Sequence, residues 1–460
     1  RRQRARDVGA RARRPAARST AMAPPHILVI GAGPIGLEAA VLLAQSGFAV
    51  TVAERGQEVA ASVRHWGQVR LFSKNEINTT AWGLAACAEV GTVPDAAAYP
   101  TGDEFCTTYL ELLASWLSAS PKVSLMTNTA VVALSRGTIL KNEQVMAVGE
   151  TDRASTPFHA LLCTAAEEEF VLDGLAAVLD CSGTYGNGNA IGAGGAPALG
   201  ERALRSRQPS ALFADGLPDV LRRDAARFTP PSGGVVRALL LGGGYSAATT
   251  LLALVEAGRR HPEGEMRIEW CLRSRSGRAP YAPIPDDPLP ARASLVDLAN
   301  QMAEGKAPLP PNVALHVRRG VSVEELRGGQ GNEGVRVVGQ SEAGAFELQV
   351  EVAVAHVGFR PDLALSRELQ VHACYASEGP MKLAASLLGA RVAAKGGGEA
   401  AGDCLKQAAP GPELLVSPEP RFYVLGAKSY GRNSAFLLKL GHAQVEAVVA
   451  MLRKECRDEL

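Results

Sequence analysis

The sequence predicts an α/β protein, and two stretches carry that prediction. Each is a short apolar run, a glycine-rich turn, a breaker-free helical segment and a second apolar run. The first extends from His26 to Glu54; the second begins about 210 residues later and extends from Val235 to Arg275. Composition agrees. The 460 residues are 47% apolar and 21% charged, enough for two to three domains of roughly 100–200 residues around a large core. The 48 glycines follow no collagen-like period, so they point to tight turns and close backbone approaches.

In the first unit, His26–Ile30 (HILVI) reads as a strand running into Gly31-Ala-Gly33-Pro34-Ile35-Gly36. Leu37–Gln45 (LEAAVLLAQ) follows as a helix, Gly47 closes it, and Ala49–Ala53 (AVTVA) is a strand ending at Glu54. This is strand, GxGxxG, helix, strand and acid, the order that binds a dinucleotide. Gly31 makes the tight turn, Gly33 lets the backbone approach a pyrophosphate, and Gly36 allows close helix–strand packing. The helix N-terminus offers free N–H groups and a positive dipole to phosphates, while Glu54 can bind ribose hydroxyls.

The second unit repeats the order. Val235–Leu241 (VVRALLL) is a strand, and Gly242-Gly243-Gly244-Tyr245-Ser246-Ala247 gives GxGxxA. Ala248–Ala257 is a helix, and Arg267–Leu272 (RIEWCL) is the next strand. That strand ends at Arg273 and Arg275 instead of an acid. A guanidinium there can pair bidentately with a 2′-phosphate that a carboxylate would repel, which favours NADPH over NADH.

Other classes are excluded or unsupported. Forty-eight basic against 47 acidic residues give a formal charge of +1, which makes no global case for nucleic acid or an acidic membrane. No run of 18 apolar residues would span a bilayer. The eight cysteines include no CxxC pair, and none sits with histidine at metal-ligand spacing, so reduced thiols and no metal site are expected. Residues 1–21 carry eight arginines against the single acid Asp7. They read either as the tail of an organelle transit peptide or as upstream sequence outside the working protein. Arg457-Asp458-Glu459-Leu460 resembles an ER-retention signal; with no apolar signal segment it reads as coincidence. A cytoplasmic or organellar location is expected.

Two such units in one chain resemble the flavoproteins that have separate FAD and NAD(P)H domains. This class includes flavin-containing monooxygenases and thioredoxin-reductase-like enzymes, and the resemblance extends over most of Pro25–Leu460. Val178–Gly183 (VLDCSG) resembles the segment by which such chains leave the FAD domain, Gly186–Gly195 the crossing, and Val357–Asp362 (VGFRPD) the return. The resemblance implies two Rossmann-like dinucleotide-binding domains, the NADPH domain inserted into a split FAD domain. The expected boundaries are 22–214 and 362–460 for the FAD parts and 215–361 for the NADPH domain, with an inserted loop region near 374–410. His159–Ala165 and Glu168–Leu175 are expected to form a small β-meander. FAD falls to Gly31, Gly33, Pro34, Ile35, Gly36, Glu54, Arg55, Gly183 and Gly426. NADPH falls to Gly242, Gly244, Tyr245, Ser246, Ala247, Arg273 and Arg275. Phe422–Gly426 (FYVLG) resembles the family's last strand, but the usual Gly-Asp is here Gly426-Ala427-Lys428, so a carboxylate–ribityl contact does not carry over. A final helix from about Ser434 to Lys454 presents Val445, Val448, Val449 and Leu452 on an inner face.

FAD with NADPH implies hydride transfer from nicotinamide to flavin, the chemistry residing in the cofactors. The second half-reaction sets the function. A dithiol reductase keeps two cysteines close together beside the flavin, and the sequence has no such motif. A monooxygenase of the family carries FxGxxxH before its second fingerprint, and Arg227–Arg237 has no histidine. Arg64–Ser73 sits where related enzymes place a Gly-x-Trp loop beside the flavin. It offers Arg70 as an electrostatic partner of reduced flavin, Trp66 as a shield and His65 as a proton exchanger. Each also has a plain structural reading as a surface arginine, a core tryptophan and a hydrogen-bonding histidine. The leading expectation is a monooxygenase-like enzyme acting on a small-molecule substrate. A disulfide or quinone reductase using Cys374 and Cys404 is the alternative, and a non-catalytic nucleotide-binding protein the third. The long stretch between Asp362 and Phe422 has room for a substrate lid or a homodimer contact.

Overall fold

The computed structural model describes residues 23–145, 152–207, 213–214, 225–284, 287–328, 334–395 and 411–456. The chain begins with β1 (His26–Ile30), α1 (Pro34–Gln45) and β2 (Ala49–Ala53), followed by α2 (Ala81–Val90) and α3 (Glu111–Ala119). Next come β3 (Val123–Met126), β4 (Thr129–Ser135), β5 (Phe158–Thr164) and β6 (Glu169–Asp180). Strands β3, β2, β1 and β6 lie side by side and parallel, while β5 and the first half of β6 pair antiparallel as expected and β4 adds a third strand to that meander. Burial along β6 follows this change of neighbours. It alternates where the strand is half-covered and becomes continuous at Ala177–Asp180, where both faces are packed.

A second parallel sheet uses β7 (Phe213–Ala214), β8 (Val235–Leu241), β9 (Glu265–Cys271), β10 (Val313–Arg318) and β14 (Val352–Ala355), in the order β10-β9-β8-β14-β7. Helices α4 (Tyr245–Arg260) and α5 (Pro290–Ala303) belong to this unit, whose core centres on the fully buried Trp270. Between β10 and β14 the chain makes a three-stranded antiparallel sheet from β11 (Ser322–Gly328), β12 (Val335–Ser341) and β13 (Gly344–Val350). The chain then passes through α6 (Met381–Lys395) and returns to the first sheet. There β15 (Phe422–Val424) pairs with β6, and α7 (Leu438–Glu455) ends the described chain. The inner face of α7 is as expected, with Val445, Val448, Val449 and Leu452 all buried against the core shared with α1.

Four helices begin or end away from their predicted bounds. Helix α1 starts at Pro34, three residues early, because proline at the first helical position gives up an N–H that has no partner there anyway. Helix α4 extends from Tyr245 to Arg260, a turn beyond the apolar stretch on each side. Helix α7 starts at Leu438, since the Asn433 side chain accepts from the Ala435 N–H and keeps the lead-in extended. The helix expected over Tyr109–Ser118 runs from Glu111 to Ala119 after a π turn at Cys106–Leu110. No helix among the described residues is long and apolar enough to cross a membrane.

The two sheets are joined by two passages that run side by side. The Asn189 N–H donates to Gly358 O (3.0 Å) and the Arg360 N–H to Asn187 O (2.9 Å), while Tyr185 meets Phe359 edge-on at 4.8 Å. The outgoing segment is thereby hydrogen-bonded to the returning one. Both flank a cavity of about 270 Å³ lined by Asn187, Arg360, Pro361, Leu363 and Glu378.

Candidate functional site

The three glycines of the first fingerprint meet three different constraints. Gly31 has φ +94°, and a Cβ there would lie 2.9 Å from Cys181 O. A Cβ on Gly36 would come within 1.9 Å of Gly31 O, so the first turn of α1 presses directly on the loop. Gly33, the N-cap of α1, has φ −76° and ψ −177°, and a Cβ there meets nothing within 4 Å. Backbone at Gly33 therefore borders open space at a helix N-terminus, the geometry a pyrophosphate requires. At the end of β2 the Glu54 carboxylate accepts from the Ala32 and Gly56 N–H groups, both at 2.7 Å, which holds it beside the glycine loop. The exposed Arg55 guanidinium lies over Gly186, where a Cβ would be 2.7 Å from Nη2.

The facing wall comes from β6 and the turn after β15. Asp180 ends β6 opposite Ile30 of β1 and Val424 of β15, at the carboxyl edge of the sheet. Lys428 reaches this edge and is buried there, its Nζ 2.6 Å from Asp180 Oδ2 and 3.0 Å from Ser182 Oγ. Gly183 and Gly426 both take left-handed conformations, with φ +69° and +70°. Ile35 of α1 packs on Gly426, whose N–H donates to Gln444 of α7 at 2.8 Å. Lys428, next to the Ala427 that stands where the pattern has aspartate, thus joins two parts of this wall that are 246 residues apart.

The second fingerprint repeats the plan. Gly242 has φ +133°, and a Cβ there would lie 2.2 Å from His356 O. Gly244 caps α4 with open space around it, Ser246 is half-buried, and Ala247 is fully buried where the first unit has glycine. The Tyr245 ring meets Phe72, in the segment after β2, edge-on at 6.0 Å and stacks on Tyr281 at 6.4 Å, so that segment touches the second fingerprint here. Arg273 and Arg275 are exposed in the loop after β9. Replacing both by alanine is expected to weaken NADPH by roughly one to two orders of magnitude while NADH changes little. Coenzyme titration distinguishes this from equal loss for both, which would give the arginines a structural role or a hold on the shared pyrophosphate.

His65 is exposed, and the partly buried Trp66 ring packs on Gly102. Arg70 is exposed and committed, donating to Tyr99 O and lying 3.4 Å from Glu104 Oε2. Among the thiols, Cys181 is buried directly beneath Gly31, and burial pushes its pKa up. Burial likewise pushes Cys87, Cys106 and Cys271 up to about 12. Cys374 differs. It is partly exposed in a tight turn, and hydrogen bonds from the Ser377 side chain and the 377 and 376 backbone hold its thiol below the ordinary value. That turn packs on the segment after Gly426, with the Arg432 N–H donating to Ser377 O at 2.7 Å. Cys404 lies outside the described residues, as do residues 1–22 and 457–460. Among the described residues no group of three His, Cys, Asp or Glu side chains is placed to hold a metal ion.

Residues 28–149 match the family described as pyridine nucleotide-disulphide oxidoreductase. Solved structures align along almost the whole chain. Bacillithiol disulfide reductase from Bacillus cereus is 14% identical with a TM-score of 0.59, covering 94% of this chain and 99% of its own. Ornithine hydroxylase from Pseudomonas aeruginosa is 15% identical with a TM-score of 0.56 and the same coverages. Thioredoxin reductase from T. acidophilum is 12% identical at 0.53, again covering 94% and 99%. The chain has the fold of a two-domain FAD/NAD(P)H-dependent oxidoreductase. No curated protein sequence matches it. This fold is shared by a disulfide reductase and a hydroxylase, so the fold by itself assigns no electron acceptor.

Proposed function

We propose that the protein is an FAD-dependent oxidoreductase that takes hydride from NADPH and passes electrons to oxygen and a small organic substrate. The observation that carries the cofactor reading is the pair of glycine-capped helices, each opening onto free space at its middle glycine, Gly33 and Gly244. The donor set fits FAD on the first unit. The α1 N-terminus would take the diphosphate, Glu54 the ribose, and the Gly183 and Gly426 turns the backbone contacts of the opposite wall. FAD held there supplies a two-electron carrier. The protein's own tasks are to fix the two dinucleotides, bring their ends together where Phe72 meets Tyr245, and exclude water.

The oxygen reading is supported by the state of the thiols. Cys181, directly beneath the first fingerprint, is buried and held protonated by burial, and Cys87, Cys106 and Cys271 are shifted the same way. A protonated, enclosed thiol neither attacks a disulfide nor relays electrons. One observation favours a reductase instead: the Cys374 thiol is shifted towards the thiolate and partly exposed. The Cys374→Ser/Cys404→Ser variant separates the two, since serine keeps the approximate size but cannot exchange electrons. NADPH oxidation by oxygen is expected to stay largely intact. Abolished turnover with normal flavin reduction would make the thiols the relay.

A further inference from the structure

The loop after β9 is where this fold meets the 2′ position of an adenosine ribose, and here it already holds an anion belonging to the chain itself. Glu342, at the tip of the β12–β13 hairpin, reaches across the three-stranded sheet to Ser276. One carboxylate oxygen accepts from the Ser276 N–H at 2.9 Å, and the other accepts from that N–H at 3.0 Å and from the Ser276 hydroxyl. These Ser276 bonds, with the charges of Arg275 and Arg319 acting on the same group, hold the carboxyl below its usual range. The hairpin tip is also fastened by the Glu342 N–H, which donates to Arg319 O at 3.0 Å. Gly320, with φ +61°, leaves the room that this needs, because a Cβ there would sit 2.8 Å from Glu342 Cγ.

A serine amide and hydroxyl and one guanidinium in the loop after β9, with a second guanidinium at Arg319 after β10, are the donors a phosphate monoester takes. We propose that Glu342 is a specificity-determining residue: its carboxylate occupies the Ser276 amide and hydroxyl beside Arg275 and Arg319, and a coenzyme 2′-phosphate has to displace it or share those donors with it. Glu342 therefore narrows the preference for NADPH over NADH that Arg273 and Arg275 create. The inference rests on the reading that the inner unit binds a nicotinamide dinucleotide.

Calorimetric titration of the purified holoprotein with 2′,5′-ADP and 5′-ADP tests it without turnover. Glu342→Gln keeps the size of an exposed side chain and removes one negative charge. It is expected to tighten 2′,5′-ADP about two- to fivefold, the scale of an exposed charge contact, and to leave 5′-ADP unchanged. Glu347→Gln is the control. It removes the same charge from the same sheet, where Glu347 pairs with Arg336 at 2.7 Å, and should move neither ligand. An unchanged affinity ratio in Glu342→Gln would overturn the proposal. So would weaker 2′,5′-ADP, because Glu342 would then be organising the loop in favour of the phosphate. If neither nucleotide binds the wild-type protein, the dinucleotide reading of the inner unit fails and the proposal falls with it. That outcome is distinct from two nucleotides binding with an unaltered ratio.

Discussion

Gly33→Val should give a folded protein that purifies without flavin. Gly33 has ordinary extended dihedrals, and a Cβ there meets nothing within 4 Å, so the polypeptide itself accepts a branched side chain. The space that valine fills is the space against the α1 N-terminus where backbone N–H groups would meet the diphosphate. Circular dichroism and urea unfolding of the apoprotein should therefore stay within about 1 kcal/mol of wild-type apoprotein, the scale of a substitution that disturbs no packing. Flavin content should fall close to zero. Gly36→Ala gives the opposite pattern. Its methyl would collide with Gly31 O, so the fold itself should lose stability. Stoichiometric FAD in a folded Gly33→Val protein would remove FAD from the first unit.

Lys428→Met is expected to cost about 3–5 kcal/mol of stability, because it leaves the Asp180 carboxylate buried without its cation. Asp180→Asn should be destabilising in the same way by stranding the ammonium. The double variant Asp180→Asn/Lys428→Met should recover most of the loss, since two neutral side chains no longer demand solvation. Denaturant unfolding of the four proteins gives the coupling directly. Single variants as stable as wild type would mean that the pair contributes nothing to the wall formed by Ser182, Gly183 and the Gly426 turn.

What was legible in the sequence was local. Each glycine fingerprint is set by constraints within a few residues: a left-handed turn, a helix start and a strand either side. Both were found in place, with β1, β2 and β8 at their predicted bounds. The meander could be read because β5 and β6 are adjacent in sequence and alternate along one face. The β11–β13 sheet was missed. Its strands β11 and β13 carry exposed charges and glycine that mask the alternation. Lys428 is visible in sequence only as the neighbour of Ala427, which stands where the pattern has aspartate; that its ammonium returns to Asp180, 248 positions away, depends on the β6–β15 register. Glu342 gave no signal, because one glutamate at a hairpin tip looks like any solvated charge until the hairpin is folded over Ser276. Arg70 was noticed for its neighbours in sequence, whereas its guanidinium is turned to Tyr99 and Glu104.

Flavin-mediated oxidation of NADPH is tested most directly by the visible spectrum of the purified protein as NADPH is added without oxygen and air is then admitted. The expected result is a yellow protein whose flavin absorbance bleaches with NADPH and returns with air. A colourless protein, or flavin bands that NADPH leaves unchanged, would contradict it and leave a nucleotide-binding protein without turnover.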